Sequence, residues 1–267
     1  MAPMTSAPRS EPAPTAASSP PAATRSYGTD PAQVYDVRRP SPGSAPLGAT
    51  VLVVHGGFWR AAYDRAHAAP EAQAFADAGY AVAVAEYRRV GMPGGGVPGT
   101  LDDVRGVVTA VLADPDLPEP LILVGHSAGG HLVAWVAGQP WITEGGGSAV
   151  AGVVSLAGVV DLGAADRLHL GDDAALAFVG SGVGSDDWAA ADPTTVLPRV
   201  PVRLLWGEHD DVVPTEVGDS YLSRARAAGA DVTSEVIAGA DHFALIDPTS
   251  PAFDHVLAAV RSLTPTP

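Results

Sequence analysis

"LILVGHSAGGHLVAWVAG" (residues 121–138) joins an apolar run to a helix-like run through the five residues 125–129. Gly125-His126-Ser127-Ala128-Gly129 fits the pattern G-x-S-x-G, and its flanks supply the strand, sharp turn and helix that give the pattern meaning. Such a turn forces the serine backbone into a strained conformation. A side chain at 125 or 129 is expected to collide with the neighbouring strand or helix. What the strain provides is an exposed Oγ at a helix N-terminus, where the helix dipole favours developing negative charge. A small-residue loop that merely packs closely is the plainer reading of the same five residues. The rest of the chain has to choose between them.

Outward from this stretch, short β-like runs alternate with helical ones. The strands expected are 33–38, 50–55, 80–87, 121–125, 151–158, 202–207 and 233–239. Several are near-continuous Val/Leu/Ile/Ala runs, as strands covered on both faces require. Helices are expected at 70–79, 100–114, 129–138, 214–229 and 250–263. The second opens with Thr100 and carries Asp103 three residues on, a capping-box pattern. Its positions 101, 104, 107, 108, 111 and 112 are apolar and share one face. This alternation predicts an α/β fold with a mostly parallel, doubly wound sheet flanked by helices. Residues 161–198 break the rhythm with an Asp/Gly/Ala-rich stretch, expected to be a short lid-like insertion. Residues 1–24 are Ala/Pro/Ser/Thr-rich without an apolar core and read as a disordered tail rather than a secretory signal. One domain is expected, over 25–263.

Composition narrows the chemistry. The 267 residues carry a net charge of −15, and every basic residue is arginine. Nucleic-acid binding wants a basic stripe, which is missing. A phosphate-binding Walker loop and a pyridoxal Schiff base both need lysine. With no cysteine, thiolate metal sites and cysteine nucleophiles are excluded. No run of 18 apolar residues suggests a membrane span, and a cytoplasmic location is the default expectation. No cofactor, no metal, and a small-molecule substrate complete this reading.

A serine hydroxyl needs a base, and the base needs a carboxylate to orient it. On this layout the order after the serine is acid, then histidine. Asp210 follows the run 202–207, and His242 lies in a short loop after 233–239, so Ser127, Asp210 and His242 stand in the required order. Asp161, Asp211 and Asp241 are rival acids, and His209 and His255 rival bases. His126 and His131, beside the serine, read as packing residues, and His67 and His169 carry no signal. His55-Gly56-Gly57-Phe58-Trp59 ends an earlier strand about seventy residues upstream of the serine. Its N–H groups, with that of Ala128, suit an oxyanion site, although an ordinary two-glycine turn reads the same alone. "GGGVPG" (94–99) satisfies G-x-G-x-x-G. Pro98 removes a donor that a dinucleotide phosphate would need, so a mobile loop at a pocket rim is expected instead.

Taken together, "HGGFW", "EYRR", "GHSAGGHL", "GEHDDVVP" and "GADHF" resemble the α/β-hydrolase superfamily. The closer resemblance is to its HGGxW branch of kynurenine formamidases and small carboxylesterases. The resemblance implies a serine hydrolase of small carboxylic esters or aryl formamides. Ser127 would be the nucleophile, Asp210 the acid and His242 the base, with Gly57, Phe58 and Ala128 as oxyanion donors. Phe58 replaces the third glycine of the lipase-type HGGG version, which argues against bulky esters. Trp59, Tyr87 and Trp188 are candidates for an aromatic substrate wall, with core packing the rival role for each. Cleavage of a peptide or natural-product acyl group, and a non-catalytic binding protein on the same fold, are the alternatives.

Overall fold

The computed structural model describes residues 18–143 and 149–265. Eight strands form one sheet: β1 (Ala23–Ser26), β2 (Val34–Arg38), β3 (Thr50–Val54), β4 (Ala81–Ala85), β5 (Leu121–His126), β6 (Val150–Leu156), β7 (Val202–Gly207) and β8 (Val232–Ile237). Their order across the sheet is β1-β2-β4-β3-β5-β6-β7-β8. β1 and β2 run antiparallel to their neighbours, and the other pairings are parallel. β3, β4 and β5 are buried along their whole length. That burial is the physical reason for their unbroken apolar runs.

The helices that cover the sheet are α1 (Ala69–Asp77), α2 (Gly99–Leu112), α3 (Ala128–Gly138), α7 (Glu216–Ala227) and α8 (Ala252–Leu263), with the short α4 (Leu162–Arg167), α5 (Ala174–Val179) and α6 (Asp186–Ala191) between β6 and β7. α3 is buried at every position. It runs behind the central strand and has no polar face to turn outward.

Four sequence expectations change. First, residues 23 and 24 belong to edge strand β1 instead of the expected tail; Ala23 pairs with Val37 and Thr24 with Asp36. Four residues of alternating exposure are too short and polar to show a period. Residues 1–17 of that tail lie outside the described residues. Second, Thr100 does not cap α2. The helix starts a residue earlier after Pro98, and Asp103 turns away to bind Arg88. Third, the insertion expected at 161–198, to which no element was assigned, carries three short helices. Each has only six residues, too few for a 3.6-residue period to register. Fourth, the glycine run at 94–99, expected as a mobile rim loop, is hydrogen-bonded along its middle, with Gly96 buried and Gly94 and Pro98 exposed. Gly95 donates to Met92, Gly96 to Thr100 Oγ1 and Val97 to Phe178.

Candidate active site

Four loops leave the carboxyl ends of β3, β5, β7 and β8 on one edge of the sheet, where a doubly wound sheet places its ligands. The loop after β5 is the elbow. Ser127 sits at φ +54°, ψ −116°, backbone space that a side-chain-bearing residue rarely enters. Its N–H donates to Leu156, and its carbonyl accepts from His131 and Val159, so both neighbouring elements hold the strained residue. A Cβ on Gly125 would lie 2.2 Å from the Gly129 carbonyl, and one on Gly129 2.0 Å from the Val54 carbonyl. Both expected collisions are therefore real. Their sources are the first turn of α3 and the end of β3.

Asp210, after β7, and His242, after β8, meet. His242 Nδ1 donates to Asp210 Oδ2 at 2.8 Å, and both side chains are almost wholly enclosed. The other carboxylate oxygen, Oδ1, accepts the N–H groups of Val212 and Val213 at 3.0 and 2.8 Å, which fixes the acid's orientation. Nε2 is the ring nitrogen that the carboxylate does not hold. It is buried, with no hydrogen-bond partner among the described residues. The ring lies 4.4 Å from that of His126, the residue before Ser127. The imidazole is therefore packed against the elbow. No Ser127–His242 hydrogen bond is formed, a common condition in sites without substrate.

The loop after β3 supplies the third wall. Gly57, Phe58 and Trp59 take φ of +105°, +48° and +55°, a run of left-handed residues that turns the chain sharply. A Cβ on Gly57 would meet the Tyr63 side chain at 2.6 Å. The N–H groups of Gly57, Phe58 and Ala128 find no acceptor among the described residues. The turn is anchored from behind. His55 Nδ1 lies 2.9 Å from Gly56 O, and its Nε2 lies 3.3 Å from Glu86 Oε1. The Tyr87 hydroxyl donates to the His55 carbonyl at 2.8 Å. Burial pushes the Glu86 carboxyl up. The His55 hydrogen bond, the Arg65 N–H and the Arg89 charge outweigh it and hold the pKa at about 2. His55 belongs to "HGGFW", and Glu86, Tyr87 and Arg89 to "EYRR".

The three expected wall aromatics each pack against neighbouring residues. Trp59 is stacked on Phe178 and edge-on to His131. Tyr87 is stacked on His55. Trp188 lies in α6 with its N–H bonded to Ser185. All three are buried. Phe58, half-buried, covers Gly171, where a Cβ would come within 2.7 Å of its ring. The segment 161–198 is tied to the site's supports: Trp135 and His131 on α3 bond the carbonyls of Ala190 and Ala191, and Arg60 bonds that of Gly171. Among the rivals, Asp161 caps α4, Asp241 caps the turn at Phe243 and Ala244, and His255 pairs with Glu235 on the surface. His209 and His169 are exposed beside Glu208 and Asp173. No group of His, Asp and Glu fit to hold a metal occurs among the described residues, and no helix there is long and apolar enough to cross a membrane.

A strained serine elbow after the central strand of a mostly parallel sheet, with His242 and Asp210 on later loops of the same edge, defines an α/β-hydrolase fold. Solved structures agree. A truncated carbohydrate esterase from gut microbiota superposes with a TM-score of 0.76 at 19% identity, covering 92% of this chain and 99% of the other. Esterase B from Lactobacillus rhamnosis gives 0.72 at 21%, covering 92% and 87%. A thermophilic esterase from Thermogutta terrifontis, with propionate bound, gives 0.69 at 20%, covering 91% and 93%. At these identities the likeness is one of fold. The chain belongs to the BD-FAE family, whose model matches residues 35–223, more than half of its length. No curated protein matches it closely enough to count as a relative.

Proposed function

We propose that this protein is a serine hydrolase that cleaves small carboxylic esters through an acyl-enzyme. One observation carries the reading: His242 is bonded to Asp210 through Nδ1, while its Nε2 stays buried and unpartnered against the elbow that holds Ser127. This is the tautomer a general base needs. Ser127 Oγ attacks the substrate carbonyl as its proton passes to His242 Nε2. The carbonyl oxygen becomes an oxyanion held by the N–H groups of Gly57, Phe58 and Ala128. Each such donor contributes on the order of 3 kcal/mol to the transition state. Collapse breaks the bond to the alcohol, which takes the proton from His242. Water then repeats the sequence on the acyl-enzyme and frees the acid and Ser127. Asp210 orients the imidazole throughout.

The small-acyl preference is supported by Phe58 in place of a third glycine, by its packing over Gly171, and by the propionate held in the Thermogutta esterase. The aryl formamide named by the HGGxW resemblance is the second substrate of the same machinery. It too pairs a small acyl side with a good leaving group.

A fluorophosphonate probe and two substrates test this. Wild-type protein is expected to be labelled at one site and to hydrolyse nitrophenyl acetate. Ser127→Ala is expected to lose both while keeping its fold by circular dichroism. Equal labelling of the variant, or none of folded wild type, removes the serine mechanism and leaves a binding protein. A kcat/KM for N-formylkynurenine far above that for the ester moves the substrate to the formamide.

A further inference from the structure

His126 reads in the sequence as a packing residue, yet it joins the two halves of the site. It is the last residue of β5, so its backbone runs straight into Ser127. Its side chain is fully buried, and its Nε2 lies 2.9 Å from the carbonyl of His242, 116 residues away. Among the described residues, this is the only hydrogen bond made by the His242 main chain. On the other side, a Cβ built on Gly56 would come within 3.3 Å of His126 Nδ1 and 3.2 Å of Ser127 Cβ. The ring thus fills the space between the turn after β3 and the loop that carries the base.

We propose that His126 is a positioning residue: its Nε2–H bond to the His242 carbonyl and its ring contact with the His242 imidazole set the base's distance from Ser127. The inference rests on the serine-hydrolase reading above. Asp210 holds only one edge of the His242 ring, so that bond alone does not fix the ring's distance from the nucleophile. A second fixed point is needed, and it must be referred to the nucleophile. The bond from His126 meets both needs, because its donor is one residue from Ser127 and its acceptor belongs to His242 itself. Burial first, and then the neighbouring His242 and His67, hold the His126 pKa well below the usual histidine range. The ring is neutral and carries one N–H. The bond to an acceptor carbonyl places that proton on Nε2, leaving Nδ1 bare, and Nδ1 has no partner among the described residues. A neutral ring also does not oppose the positive charge that His242 gains during acyl transfer.

Three measurements on the full chain test the proposal, with nitrophenyl acetate as substrate. Nitrogen-15 correlation spectra of the wild type are expected to show His126 as the Nε2–H tautomer. His126→Leu, which removes the donor, is expected to lower kcat about 10- to 100-fold with KM changed less than about twofold, the scale of a small misplacement of a reacting group. His126→Gln carries an amide donor at similar reach and is expected to stay within about tenfold of wild type, an effect on orientation that volume loss alone does not produce. The Nδ1–H tautomer overturns the proposal whatever the variants do. So does folded His126→Leu at wild-type kcat, or His126→Gln falling as far as His126→Leu. If His126→Leu does not fold, the tautomer and His126→Gln decide. Fluorophosphonate labelling of Ser127→Ala runs beside them. Labelling of that variant sinks the serine reading, whereas a normal wild type with indifferent His126 variants sinks this inference alone.

Discussion

Ser127 at φ +54° is held in a conformation that costs of the order of 1–3 kcal/mol, and its neighbours are shaped around it. Gly56 is the one across the turn whose added Cβ would meet the serine's own side chain. A Cβ there would stand 2.9 Å from the His126 carbonyl and 3.2 Å from Ser127 Cβ, so backbone has to shift. Gly56→Ala is expected to lower kcat/KM for nitrophenyl acetate by about 100-fold, since a displacement near 1 Å can cost that much. Steady-state kinetics of the variant check this, and unchanged kinetics would mean that the turn after β3 does not need its present distance from the serine. Much at this scale was legible beforehand. The elbow is a local pattern of five residues, and the steric duty of Gly125 and Gly129 follows from the turn alone. The pairing of Asp210 with His242 was legible only as an order along the chain. The bond from His126 to His242 was not legible, because it spans 116 residues and no periodicity encodes it.

Elements are set by what their ends can bond to, and α2 is the instructive case. Thr100 and Asp103 have the spacing of a capping box, which a local reading must favour. In the fold, Asp103 accepts from the Arg88 N–H and guanidinium and from Gln33. Those partners come from β2's approach and the turn after β4, and they outcompete a cap. Thr100, wholly buried, accepts from the Gly96 N–H at 3.0 Å and donates to the Arg88 carbonyl at 2.6 Å. The hydroxyl therefore clamps the 94–99 turn to the strand it follows. Thr100→Val keeps the shape and leaves two buried backbone groups unpaired. The expected loss is about 1–3 kcal/mol of folding stability, read as a lower denaturation midpoint at unchanged slope. A midpoint equal to wild type would show that these groups find other partners. The long strands were legible for the opposite reason. β3, β4 and β5 are buried on both faces, so their composition alone reports them, whereas β1 and the six-residue helices α4 to α6 take their form from what they pack against.

For the whole molecule, acidity is the dominant electrostatic fact: the net charge is −15 with no lysine. One carboxyl is set by burial instead. Glu71, in the first turn of α1, is enclosed on all sides, and its Oε1 has no partner among the described residues. Burial alone raises its pKa from 4.5 to about 8. A raised carboxyl means that the folded protein binds more protons than the unfolded chain between these two values. Stability is then greatest below about pH 4.5 on this group's account, declines as pH rises towards 8, and is flat beyond. At pH 7 the difference is on the order of 3 kcal/mol. Glu71→Gln keeps the size and cannot ionise, so it is expected to be more stable than wild type at pH 8 and close to it at pH 5. Urea denaturation of both proteins at the two pH values isolates this group, because every other titrating side chain is common to the pair. Parallel stability curves would mean that Glu71 ionises in the fold without cost, through a partner or water that reaches its carboxyl.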